Sequence, residues 1–156
     1  VRCRGLYVTG IDVSAAMLKQ LEGKYPNKNL CLIQGSYFDV PFGEGTYDYV
    51  LSTYSLHHFS KAQKEALYQK IYGALKPSGI FVLGDYTVKT AQEEAQYLAE
   101  SRLLLEERGL ADGALHIDTP LTKDTETDLL RKAGFLAIRT ARQWESTTIL
   151  VAAKMR

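Results

Sequence analysis

YDYVLSTYSLHHF, from Tyr47 to Phe59, and LKPSGIFVLGDY, from Leu75 to Tyr86, decide how this chain is read. An aromatic-aspartate pair opens an apolar strand, Tyr47 to Ser52, which stops at a cluster of small hydroxyl side chains. Ser60 and Gln63 then have capping-box spacing at the start of a helix running to Ala74. A Pro-Ser-Gly turn ends that helix and opens a second buried strand, Ile80 to Gly84. Strand, helix and strand in this rhythm imply parallel pairing through a right-handed crossover. Ligands of such open α/β sheets sit beyond the carboxyl ends of the strands. Ser52, Thr53, Tyr54 and the His57-His58 turn therefore fall where a ligand belongs.

The alternation extends in both directions. Leu6 to Ile11 reads as a short buried strand ending at Asp12, and Ser14 caps a helix whose Met17, Leu18 and Leu21 share one face. Gly23 and a Tyr-Pro-Asn turn stop that helix before a second strand, Leu30 to Gln34. In the 60–74 helix Ala66, Leu67, Ile71 and Leu75 form the expected inward stripe. Beyond Tyr86 the pattern changes to a long polar helix, Thr90 to Arg108, ended by Gly109 and followed by the irregular LADGALHIDTPLT. Thr122 caps a further helix whose Asp124 and Glu126 suit its positive end. Phe135 to Arg142 and Thr147 to Lys154 then read as an antiparallel hairpin.

Bulk properties narrow the function. One domain fits 156 residues, and 19 Lys and Arg against 18 Asp and Glu leave a net charge of only +1. Such a surface has no field to draw a polyanion, so no nucleic-acid partner is expected. The apolar runs are strand-sized, and no membrane span is expected. Cys3 and Cys31 stand alone without metal-type spacing and read as reduced thiols of a cytoplasmic protein. His57 and His58 lack further Cys or acidic ligands in sequence, so no metal site is expected. Homo-oligomerisation is left open. The chain opens VRCRGLYVTG, without an initiator Met and straight into a strand, and reads as lacking an N-terminal part.

The two opening stretches resemble the fourth- and fifth-strand motifs of class I S-adenosylmethionine-dependent methyltransferases, FDxVxSxxxLHHF and LKPGGxxxxxD. The resemblance covers nearly the whole chain and implies a Rossmann-like, open, mostly parallel twisted sheet with helices on both faces and a C-terminal antiparallel hairpin. The family strand order is 3-2-1-4-5-7-6. Here the match begins at the second strand, so the first strand and its glycine-rich loop are expected to be missing from a single, N-terminally incomplete domain spanning 1–156. Two sheet pieces with unpaired inner edges would then bind cofactor poorly unless another polypeptide supplied that strand.

The resemblance also implies a site for S-adenosylmethionine. Asp12, with Val13, is placed to accept the ribose hydroxyls, although nicotinamide enzymes put an acid at a similar position. QGSYFDVPF resembles GDAxxLPF, with Ser36 where the family has an acid that receives the adenine amino group, and Tyr37 beside it for packing. Ser52, Thr53 and Tyr54 would hold the methionine end. His58, Tyr86 and His116 are candidates for contact with a small-molecule acceptor, and residues 88–121 form an inserted helix and substrate cover. Two other readings stand beside this one: a nicotinamide-dependent Rossmann oxidoreductase, and a non-catalytic methyltransferase-like fragment. The Tyr72-to-Lys76 spacing of short-chain dehydrogenases lacks its serine context and reads as helix surface with a terminal Lys.

Overall fold

A computed structural model of the chain describes residues 5–26, 29–110 and 117–155. They fall into two compact units, residues 1–41 and 42–156.

The first unit pairs β1 (Tyr7–Asp12) in parallel with β2 (Asn29–Gln34), joined by α1 (Ala15–Lys24). Ser14 caps α1 by accepting from the Met17 amide, as its sequence position predicts. β1 does not become the buried strand its composition suggests. Tyr7 is 87% exposed and α1 has no buried residue. The reason is that β1 has β2 on one side only, and the other edge carries no partner among the described residues.

The second unit holds β3 (Tyr47–Thr53), a 3₁₀ turn at Leu56–His58, α2 (Lys61–Ala74), β4 (Leu75–Val88), α3 (Ala91–Arg108), β5 (Leu121–Thr122), α4 (Lys123–Lys132), β6 (Ala137–Gln143) and β7 (Thr147–Ala153). Its strands run β3-β4-β7-β6, with β3 parallel to β4 and the β6–β7 hairpin antiparallel. Within each unit the neighbours are those of the family order, 3-2 and 4-5-7-6. β4 is longer than Ile80 to Gly84: it continues to Val88 and there pairs with the two-residue β5. The polar Asp85 and Thr87 in that extension are buried because tertiary partners satisfy them, Thr87 through a 2.8 Å hydroxyl bond to Thr148.

Local chemistry sets the helix ends. The Ser60/Gln63 capping box forms, and Thr90 and Glu93 make a second at α3. Gly109 ends α3 in the left-handed conformation, φ +62°. Lys154 donates to the Tyr72 and Leu75 carbonyls at 2.9 and 2.8 Å, neutralising the carboxyl end of α2.

The core lies between α2, α4 and the inner face of β4 and β7. Phe81, Phe135, Tyr68 and Tyr72 form an aromatic chain with centroids 5.0–6.1 Å apart. Gly134, φ +110°, lets the chain pass the Tyr72 ring, which an added Cβ would meet at 3.0 Å. The inward stripe of α2 is shifted from the expected one: Ala66 is not buried, while Lys64, Leu67, Tyr68, Ile71 and Ala74 are. Lys64 tolerates this because its ammonium meets Glu126 of α4 at 2.5 Å, and the Tyr68 hydroxyl donates to the other Glu126 oxygen at 2.6 Å. Burial, reinforced by the Glu126 charge, holds the Tyr68 phenol well above its usual pKa.

Candidate functional site

At the carboxyl edge of the first unit, Asp12 is in register with Gln34, and its carbonyl accepts from Gly35 at 3.0 Å. This brings Asp12, Val13, Ser36 and Tyr37 to one end of the β1–β2 pair. Asp12 Oδ1 accepts from the Ser14 amide at 2.8 Å, and the Val13 carbonyl accepts from Gln34 Nε2. Ser36 carries the next turn: its carbonyl accepts from Asp39 and Val40, and its hydroxyl accepts from Phe38 at 3.2 Å.

In the second unit, Ser52, Thr53 and Tyr54 lie at the carboxyl end of β3, beside Leu83 and Gly84 of β4. Tyr54 leaves the strand at φ +49°, a conformation sparsely populated by bulky side chains. The Gly84 carbonyl fixes its amide at 2.9 Å, and its hydroxyl lies 3.3 Å from that of Thr147. Strain held in place by surrounding bonds is characteristic of ligand-handling positions.

Past Tyr54 the chain turns over the end of β4, and a polar corner forms around Asp85. The register that pairs Thr53 with Gly84 puts Asp85 directly beneath the 3₁₀ turn. Asp85 is 2% exposed. One carboxylate oxygen accepts the amides of Leu56 and His57 at 2.8 and 3.1 Å. The other accepts the Tyr86 amide at 2.9 Å and His57 Nδ1 at 2.5 Å. A carboxylate only accepts, so Nδ1 carries the proton and Nε2 of a neutral His57 presents its lone pair.

The segment after residue 116 closes over this turn. Thr119 donates its amide to the His57 carbonyl at 2.7 Å, and its hydroxyl bridges the His57 and Phe59 carbonyls. Asp118 Oδ1 is thereby held 3.6 Å from His57 Nε2 and 3.0 Å from His58 Nδ1. Tyr86 presses edge-on against His57 at 4.7 Å and lies 5.0 Å from the half-exposed Tyr54 ring. On the other side of His58 a cavity of about 520 Å³ opens, lined in part by Lys61, Leu98, Arg102, Leu105 and Ile117. Its wall is fixed by Glu94, which pairs with Lys61 and accepts the Thr122 amide at 2.7 Å. Burial alone would raise the Glu94 carboxyl, but the Lys61, Thr122 and Thr125 donors together outweigh it and hold the pKa below its usual value.

A family profile described as a methyltransferase domain matches residues 1–83, just over half of the chain. The chain belongs to the class I S-adenosylmethionine-dependent methyltransferases. An uncharacterized methyltransferase of Geobacillus kaustophilus is 30% identical over 136 residues, 86% of this chain and 61% of that protein. The erythromycin 3''-O-methyltransferase of Saccharopolyspora erythraea is 24% identical over 84% of this chain and 43% of its own length. The methyltransferase chain thus spans roughly two-fifths to three-fifths of these relatives. Among solved structures, the YcgJ protein of Bacillus subtilis shares the fold with a TM-score of 0.74 at 12% identity, over 96% of this chain and 83% of that one.

Of the three residues expected to contact the acceptor, His58 and Tyr86 come together at the corner of this methyltransferase, and His116 lies outside the described residues. The sequence alone does not select His57, Asp85 or Asp118 for that role. LHHF and the acid that ends LKPSGIFVLGD mark the first two, and the parallel register, which sets the residue after Gly84 beside the residues following Thr53, brings them together. The HIDTPLT run marks Asp118 as part of a helix-entry turn and substrate-facing cover, and its place beside the histidines depends on Thr119 binding a turn 60 residues away.

Proposed function

We propose that the full-length protein transfers the methyl group of S-adenosylmethionine to a nucleophilic atom of a small-molecule acceptor. Asp12 receives the ribose hydroxyls and Val13 lies beside it. Ser36 and Tyr37 receive the adenine, and Ser52, Thr53 and Tyr54 hold the methionine end. The Tyr54 and Tyr86 faces favour the sulfonium by cation–π attraction, worth about 0.5–2 kcal/mol. The product lacks that charge and leaves more readily.

The acceptor atom lines up behind the methyl carbon, and this alignment supplies much of the rate of an in-line displacement. A hydroxyl or thiol must also lose its proton, and the Asp85-bound His57 is the observation that carries this end of the reading. Its Nε2, with Asp118 Oδ1 facing it, gives the corner lone pairs to which an acceptor O–H or S–H is docked. His58 and Tyr86 border the acceptor, and the 88–121 insert, of which 111–116 lie outside the described residues, is its cover, with the cavity beside α3 holding its body. Near-neutral charge and a relative named for methylating erythromycin both favour a small acceptor.

The reading is tested by supplying the full-length protein with S-adenosylmethionine and panels of small phenols, thiols, amines and carboxylic acids. Acceptor-dependent formation of S-adenosylhomocysteine, lost in His57→Ala, supports it. Turnover that is indifferent to His57→Ala overturns the assignment of the corner.

A further inference from the structure

The polar corner holds more ligating atoms than methyl transfer requires. His57, His58 and Asp118 each offer a ligand atom within 4.8 Å of the other two, and Asp118 Oδ1 faces both His57 Nε2 and His58 Nδ1. A tetrahedral ion with bonds of about 2.0–2.2 Å sets its ligands about 3.3–3.6 Å apart. The two Asp118 edges, 3.6 Å to His57 and 3.0 Å to His58, bracket that spacing. We propose that these three side chains form a divalent transition-metal site of the zinc type, with one coordination position left for water or an acceptor atom.

Three further features favour an ion over a simple hydrogen-bonded cluster. The Asp85 carboxylate on His57 Nδ1 is the outer partner that fixes a ligating imidazole, keeping the proton off Nε2. Asp85 is itself anchored by three backbone amides, and Asp118 by its neighbour Thr119, so two of the ligands are oriented before any ion arrives. The charges also balance: a dication with Asp118 as ligand and Asp85 behind His57 leaves no net charge at the corner. Two imidazoles and one carboxylate suit zinc, iron(II) or cobalt(II) over magnesium or calcium, which take oxygen ligands. The site stands on this geometry alone. Only its use, ionising a bound acceptor hydroxyl or thiol as a Lewis acid in place of the hydrogen bond that His57 Nε2 offers in the metal-free corner, rests on the methyl-transfer reading.

The test uses tag-free full-length protein, stripped with chelator and titrated with cobalt(II). One retained equivalent with the visible absorption of four- or five-coordinate cobalt, displaced by zinc, is expected. Asp118→Asn and His58→Ala should each weaken binding at least about 10-fold, and Asp85→Asn about 10–100-fold. The Asp118 side chain is 57% exposed, so Asp118→Asn carries the test if His58→Ala fails to fold. Wild-type protein that retains no cobalt, or Asp118→Asn that retains it equally, overturns the proposal. S-adenosylhomocysteine titrated into the same samples separates the two readings: a protein that binds it yet retains no cobalt refutes the metal site and leaves the methyltransferase reading standing.

Discussion

Asp85→Asn changes a single atom and separates the roles of the two carboxylate oxygens. Asparagine offers one accepting oxygen and one donating NH₂. Turned to keep the Leu56 and His57 amides satisfied, it places NH₂ where Oδ1 stood, against the Tyr86 amide and His57 Nδ1. The part-buried Tyr86 N–H then faces another donor, and leaving it unsatisfied costs at most about 1–3 kcal/mol. The opposite orientation strands two amides instead of one and costs more. For a chain of this size the smaller loss lowers Tm by roughly 2–12 °C. The NH₂ also turns His57 Nδ1 into an acceptor, so the ring proton moves to Nε2 and the lone pair facing Asp118 disappears. Catalysis that draws on that lone pair should fall about 10²–10⁴-fold. Nitrogen NMR of histidine-labelled protein reads the tautomer directly, and a thermal melt reads the cost. A variant whose His57 stays protonated at Nδ1, or which melts with wild type, refutes this account of Asp85.

Glu126→Leu leaves the Lys64 ammonium uncompensated in the core and should cost about 3–5 kcal/mol, whereas Lys64→Met with Glu126→Leu should recover part of that loss; chemical denaturation of both variants checks the sign. Ser78 sits at φ +64°, a conformation costing roughly 1–2 kcal/mol without glycine; after the unfolded-state entropy glycine adds, Ser78→Gly should raise stability by about 0.5–1 kcal/mol, and a lowered Tm would contradict it. Because the folded Glu94 pKa is depressed, its contribution is present above the unfolded pKa near ~4.3 and is lost as pH falls through the lower folded value. Melts across that window should show Glu94→Gln destabilised by roughly 1.5–3 kcal/mol near neutrality, the gap to wild type closing in acid.

How much of this was legible depended on how local the cause was. Caps at Ser14, Ser60 and Thr122 were readable because donor and acceptor lie within three residues. The hairpin and the parallel strands followed from turn chemistry and alternation. Lys64 and Glu126 look like surface charges in any window, and only the packing of α2 on α4 makes them a buried pair. β5 is two residues long and exists because β4 offers Thr87 and Val88 as partners. The corner was half legible: LHHF marked the turn, while Asp85 and Asp118 reach it by register and by a long-range clasp.

The central claim, that the protein binds an adenosine-bearing methyl donor through Asp12, is tested most directly by calorimetric titration of the full-length protein with S-adenosylhomocysteine and, in parallel, with NAD. The account predicts saturable one-site binding of S-adenosylhomocysteine, weakened at least about 10-fold by Asp12→Ala as expected when a charged hydrogen bond is lost, and no binding of NAD. Binding of NAD with indifference to S-adenosylhomocysteine would contradict it.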